Sequence, residues 1–343
     1  MIPPARLARP LVQQMSSILC REPIRVGSGS FQYDLFDGWS TNVPATDIAG
    51  VGVDSRGHVY VLTRSVDDAV LVLDPQGIRV ASWGQNMFRR AHALCVGPYD
   101  AIYCVDDQGH SVSKFTADGG LLLEIKSNPA DTGYVPGQLR VVARSRPPFN
   151  TPTGVAISPE GHLIVSDGYG NARIHRFTAE GTLIHSFGEP GNGPGQFFLP
   201  HGVAVDREGL IYVADRENNR VQVFESDGTF VAQWESPRAS SIAIDKEQTV
   251  YVTEMGQVMQ GLPGKKHLER KNARPKVTVR DRRGEVMAEL LPRDPDGDGL
   301  FFAPHSIAVD ASGNLYVSEV SASYSGGLAP ADRLRLHKYV RVG

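Results

Sequence analysis

The stretch TPTGVAISPEGHLIVSDGYGNARIHRF (151–177) is nearly rewritten by FLPHGVAVDREGLIYVADRENNRVQVF (198–224). Each copy runs as an apolar strand, a short turn, a second apolar strand, a turn carrying an acid, and an alternating strand. That is one supersecondary unit used twice. The copies differ at a few positions. Thr153 in one is His201 in the other, and Gly168-Tyr169 is replaced by Arg216-Glu217. Repetition builds a scaffold, and departures from it are where chemistry can be placed.

Outward from this pair, the same core recurs six times: VGVDSRGHVYVLTR (51–64), LCVGPYDAIYCVDD (94–107), VAISPEGHLIVSDG (155–168), VAVDREGLIYVADR (203–216), IAIDKEQTVYVTEM (242–255) and IAVDASGNLYVSEV (307–320). Equivalent positions lie 39 to 65 residues apart, the period of propeller blades with insertions in the long gaps. A third and often a fourth alternating stretch follow each core, as RVQVF and FVAQW do after the fourth. Four antiparallel strands make a blade, so the expected fold is all-β, a six-bladed β-propeller. The last unit supplies LRLHKYVRV (334–342) and then stops. FQYDLF (31–36) is therefore the expected outer strand of blade six, closing the ring and leaving no hairpin open at the seam. Residues 1–24 read as an irregular leader with a short helix around Leu11–Ser17, and 25–343 as a single domain. The insertions 126–150 and 256–276 read as surface loops, the second, basic one also as a candidate lid.

With 343 residues the chain can bury a large core. A net charge of -3 gives a nucleic-acid partner no electrostatic support. No apolar run is long enough to span a membrane as a helix. The first twenty residues lack a continuous apolar core, so no export signal is read and a reducing cytoplasm is expected. Cys95 and Cys104 flank one hairpin turn and could meet across it. Burial as small apolar residues is the expectation for them.

Three histidines fall at one phase of the repeat, just ahead of the inner strand: His92, His201 and His305. One buried histidine there would be an ordinary structural residue. Three at equal level, in alternate blades of six, aim imidazoles at the axis with threefold geometry. Three neutral imidazoles with an open fourth position suit a catalytic zinc ion. The other blades carry Gly50, Thr153 and Ser240 or Ser241 near this phase, so the histidines are no repeat consensus. A second ring follows the inner hairpin: Arg64, Asp107, Tyr169 and Arg216. Two guanidiniums and a phenol beside a metal would bind a carboxylate and offer an acid or base. Surface ion pairs and a packing tyrosine would give the same spacing. The acid just before this ring in five blades (Asp106, Asp167, Asp215, Glu254, Glu319) reads as a structural acceptor for backbone N–H groups. DPDGDG (294–299) resembles half a calcium loop but lacks the downstream glutamate. EPGNGPGQF (189–197) opens no helix and is not a phosphate cradle.

The pattern GVAVD…IYVADRENNRVQVF resembles an NHL-repeat propeller. The runs PTGVAISPEGHLIVSDGYGNARIHRF, GPGQFFLPHGVAVD and ADRENNRVQVF further resemble the peptidyl-α-hydroxyglycine α-amidating lyase family. The resemblance is dense over 150–224 and thinner over about 45–320. It implies zinc held by His92, His201 and His305, the last two keeping a Pro-His pair and His92 following Ala91. It implies Tyr169 as the base and Arg64 and Arg216 as site residues. It also implies a structural calcium held through backbone carbonyls at Val51 and Leu94. Ser306 stands where the family has an aspartate that helps bind that calcium. Gly170 and Tyr212 replace the family's disulfide cysteines, in keeping with a protein that is not secreted. The implied activity is cleavage of an α-hydroxyglycine-type, carbinolamide substrate to an amide and glyoxylate, on a small molecule or short peptide. A metal-dependent hydrolase of a small ester, lactone or amide, and a non-catalytic propeller binding a protein or peptide, remain open alternatives. Oligomeric state is not legible.

Overall fold

In a computed structural model the described residues are 23–36, 39–40, 43, 46–127, 149–256, 274–291, 301, 303–324 and 335–342. Six antiparallel sheets follow one another round a ring, as the repeat predicts. Blade one is Ile48–Val53, Val59–Thr63, Val70–Leu73 and Arg79–Trp83. Blade two is Ala91–Val96, Ile102–Asp106, Ser111–Phe115 and Leu121–Lys126. Blade three is Gly154–Ile157, Leu163–Asp167, Arg173–Phe177 and Leu183–Phe187. Blade four is Pro200–Val205, Ile211–Asp215, Arg220–Phe224 and Phe230–Glu235. Blade five is Ala239–Ile244, Val250–Glu254, Lys276–Arg280 and Val286–Leu290.

Blade six joins the two ends of the chain. Pro304–Val309, Leu315–Glu319 and Leu336–Arg341 are completed by Phe31–Phe36, whose Tyr33 pairs with Arg341 and Leu35 with Tyr339. The expected clasp is there, and it is larger than expected. Ile24–Ser28 adds a fifth strand outside Phe31–Phe36. Its Val26 is buried with Tyr33, Tyr339 and the blade-five residues Val277 and Leu290. Ordered strand thus begins at Ile24, the last residue assigned to the leader, because Val26 has an apolar seam to fill. The proposed helix at 11–17, the 294–299 acidic turn, most of both large insertions and Cys20 lie outside the described residues.

The core is divided among the gaps between blades, each filled by β-branched and aromatic residues from two facing sheets. The aspartate of the inner turn explains the VxVD motif. Asp206 accepts from the N–H groups of Glu208 and Leu210 and from the Tyr212 hydroxyl. Asp245 and Asp310 receive Tyr251 and Tyr316 in the same way. One carboxylate thus closes the turn and satisfies a buried phenol. Cys95 and Cys104 are both free thiols, Cys104 buried and Cys95 partly so.

Candidate metal centre and active site

The innermost strands line a channel of about 290 Å³, and the three histidines stand together in its wall. His92, His201 and His305 come from the first strands of blades two, four and six. Each offers a ligand nitrogen, and these nitrogens lie within 4.8 Å of one another. The ring centroids are 4.9, 4.9 and 4.8 Å apart, close to threefold.

Each imidazole is oriented by the odd-numbered blade beside it. His92 Nδ1 meets the Thr153 carbonyl at 2.8 Å, His201 Nδ1 the Ser240 carbonyl at 2.6 Å, and His305 Nδ1 the Ala49 carbonyl at 2.8 Å. A carbonyl only accepts, so each Nδ1 carries the proton and each Nε2 keeps a lone pair for the axis. All three rings are buried. Burial, the other imidazoles and Arg90 hold His92 well below the ordinary histidine pKa. Burial and Arg216 do the same to His201. His305 is pushed down to about 3, by burial and then by Arg64. Its Nε2 is buried with no hydrogen-bond partner among the described residues. A buried, unsatisfied lone pair beside two others is costly by itself and is satisfied by a cation. The donor set fits a metal that favours imidazole.

Tyr169 leans over this cluster from the turn after the blade-three hairpin. Its hydroxyl is 3.0 Å from His92 Nε2 and 3.3 Å from His201 Nε2. The SDGYG motif explains how it gets there. A Cβ on Gly168 would lie 1.8 Å from the Pro200 carbonyl oxygen, and one on Gly170 would lie 2.5 Å from the Asn150 side chain. Glycine at 168 lets the loop sit against the strand that carries His201, and glycine at 170 lets it sit against Asn150. Asp167, one residue earlier, accepts the Asn150 N–H. Asp106, Asp215 and Glu319 accept backbone N–H groups at the same position, as expected. Glu254 instead binds Ser236, Thr278 and Arg280 side chains.

Arg64 and Arg216 enter from blades one and four, which face each other across the ring. Arg64 Nη1 is 3.0 Å from Asp47 and 2.6 Å from the Ser323 hydroxyl. Asp47 in turn accepts the N–H groups of Ala322 and Ser323. Arg216 Nε lies 3.1 Å from Glu217, which Arg238 also binds at 2.9 Å. The Arg216 guanidinium carbon is 5.6 Å from the Tyr169 ring centroid. Asp107 accepts from both Nε and Nη2 of Arg90. Sequence reasoning passed over Arg90, Asp47 and Arg238, and gave Glu217 only as a departure from the repeat. The signal for Arg90 was its place two residues before His92, where the other histidines have Leu199 and Ala303.

The expected calcium positions fare differently. Val51 and Leu94 both line the channel, as does Ser306. Ser306 Oγ accepts the Val51 N–H at 3.2 Å. The channel wall carries no carboxylate among its described residues. Calcium asks for six to eight oxygens, usually with carboxylates, so these residues do not fit it.

A six-bladed ring with three histidines gathered toward its axis and a tyrosine beside them defines the class: a propeller with a candidate metal centre. The NHL repeat family model matches residues 149–177 and 199–224. In sequence the chain resembles the α-amidating lyases. Peptidyl-alpha-hydroxyglycine alpha-amidating lyase 1 of Drosophila melanogaster is 30% identical over 291 residues, which cover 80% of this chain and 49% of that protein. Peptidyl-glycine alpha-amidating monooxygenase B of Xenopus laevis is 29% identical over 273 residues, covering 77% of this chain and 29% of that protein. The chain thus spans about half the length of the first relative and under a third of the second. Virginiamycin B lyase from Staphylococcus aureus superposes with a TM-score of 0.58 at 14% identity, over 90% of this chain and 100% of that one. That likeness establishes the fold alone.

Proposed function

We propose that the protein is a zinc-dependent carbon–nitrogen lyase that splits an α-hydroxyglycine-type carbinolamide into an amide and glyoxylate. The observation that carries this reading is the Tyr169 hydroxyl at hydrogen-bond distance from two imidazoles of a three-histidine cluster. His92, His201 and His305 would hold the ion, which when bound supplies Lewis acidity toward a substrate oxygen. Arg64 and Arg216, bracketing the axis, would hold the substrate carboxylate. Tyr169 would take the hydroxyl proton as the carbon–oxygen bond becomes a carbonyl. The carbon–nitrogen bond then breaks with its electron pair on nitrogen, which is reprotonated to the free amide. The substrate is a small molecule or short peptide. With both described cysteines unpaired, we place the protein in a reducing compartment, the cytoplasm.

Tyr169→Phe tests this directly with α-hydroxyhippurate and a glyoxylate readout. A fall in kcat of about 10²–10⁴ with KM little changed is expected for a lost general base. An unaltered kcat removes Tyr169 from the chemistry. Solvent oxygen appearing in the product without glyoxylate would favour a metal-dependent hydrolase. Purified protein without a stoichiometric metal, at the level of its His201→Ala variant, would favour a non-catalytic binding propeller.

A further inference from the structure

We propose that Arg90 is a specificity-determining residue that gives the site a second anion subsite, so that its substrate carries an anionic group on the acyl side as well as the carboxylate of the hydroxyglycine. This rests on the lyase reading above for the identity of the first carboxylate.

In blades one and four the position after the inner hairpin delivers a guanidinium directly, as Arg64 and Arg216. In blade two the same position is Asp107, and the guanidinium comes instead from Arg90, at the start of the blade. Asp107 is wholly buried, with 0% of its side chain exposed, whereas Arg90 keeps 34%. Arg90 Nε lies 2.8 and 2.9 Å from the two carboxylate oxygens, and Nη2 also bonds to Asp107. The Asp107 N–H donates to the Arg90 carbonyl at 3.3 Å. Backbone and side chain both fix the arginine.

Burying a carboxylate to hold one half-exposed guanidinium is a poor route to stability, since desolvation opposes the Coulomb gain. What the arrangement secures is direction. The Arg90 guanidinium carbon sits 5.5 Å from the Tyr169 ring centroid, against 5.6 Å for Arg216. The phenol on blade three is therefore flanked by cations from the blades on both sides. Of the three residues standing two before a histidine, Arg90, Leu199 and Ala303, only the one on this side is charged. Arg64 and Arg216 bracket the axis, where a carboxylate beside the reacting carbon would lie. Arg90 is the residue just before blade two and keeps about a third of its side chain exposed, at 34%. An anion there would belong to a different part of the same small substrate.

The test uses two unreactive analogues lacking the hydroxyl, N-acetylglycine with one carboxylate and N-succinylglycine with two. Both are titrated into the zinc-loaded protein at fixed ionic strength. Wild type is expected to bind the dianion about tenfold more tightly, the scale of one charge-assisted contact. Arg90→Met should remove that preference and leave the monoanion within about threefold of wild type. Arg90→Lys, which keeps charge without the fork held by Asp107, should restore only part of it. Equal affinity in wild type, no binding of either analogue, or a preference surviving in a folded, metal-replete Arg90→Met overturns the proposal. Should Arg90→Met misfold, Arg90→Lys and Asp107→Asn carry the comparison, and an undiminished preference in both overturns it. The lyase reading fails separately, by absence of glyoxylate from hydroxylated substrates, whatever the analogues do.

Discussion

The lone pair on His305 Nε2 is the least satisfied polar atom of the site, and it sets the behaviour of the metal-free protein. All three imidazoles are neutral in the fold because burial opposes their charging. In the unfolded chain they titrate near the ordinary value of about 6.5. Lowered folded pKa values mean that protons bind preferentially to the unfolded chain. Stability is therefore fully present above about pH 6.5 and is lost as pH falls toward the folded value of about 3 for His305. The expected loss is roughly 1.4 kcal/mol per pH unit for each imidazole. Denaturant midpoints of chelator-treated protein at pH 7.5 and 5.5 measure it, and His305→Gln should flatten the profile. A wild-type midpoint that does not move between these values would mean that the folded rings titrate as they do in the unfolded chain. The three histidines could be read from the sequence because they break a repeat at one phase. Their hydrogen-bond acceptors could not, because backbone carbonyls at Ala49, Thr153 and Ser240 leave no mark in residue identity.

Loops between strands decide what the ring of histidines can do. Leu199, two residues before His201, and Thr151 and Arg238 at the matching places in blades three and five all have left-handed backbone, with φ of 68°, 64° and 50°. Such conformations cost of order 1–3 kcal/mol each in non-glycine residues and gather at functional sites. The Tyr169 turn is packed against this strained approach through Gly168. Gly168→Ala would drive a methyl into the Pro200 carbonyl oxygen, 1.8 Å from the ideal Cβ. Either the tyrosine loop or the His201 strand must yield. We expect a loss of about 2 kcal/mol or more together with weakened metal retention, seen as a lower thermal midpoint and substoichiometric metal after dialysis. A variant that keeps full metal and full stability would show that the contact relaxes without cost. In the sequence the stretch SDGYG reads only as a turn carrying an acid, with Gly168-Tyr169 as a departure from the repeat. The role of its glycines became visible only when blade four was placed against it.

At the scale of the whole molecule the ring must be closed where its ends meet. The outer face of the seam is a five-stranded sheet built from both termini. The inner face is the Ser306 hydroxyl on the Val51 N–H, linking blade six to blade one. We expect this hydroxyl to serve where the resembling family uses an aspartate and calcium. Calcium-selective chelation, with zinc restored in excess, should leave the wild-type melting temperature unchanged. Ser306→Asp places a carboxylate in a buried wall beside Val51 and Leu94. It should lower the melting temperature in chelator by several degrees, about 1–3 kcal/mol of uncompensated burial, and recover with added calcium. A wild-type midpoint that drops on calcium removal would refute this account of the seam.

Repetition in the chain was enough to determine six blades, their strand order and the clasp at Phe31–Phe36, because each blade is a local unit with its own turns and its own alternating pattern. It also determined which residues depart from the pattern, and hence the histidines, Tyr169, Arg64 and Arg216. The strand added by Ile24–Ser28, the carbonyls that fix the imidazole tautomers, and the delivery of Arg90 by a buried Asp107 were decided by the tertiary structure. Those depend on which blade lies beside which, at distances of a few ångströms across a closed ring, and no local stretch of sequence contains that information.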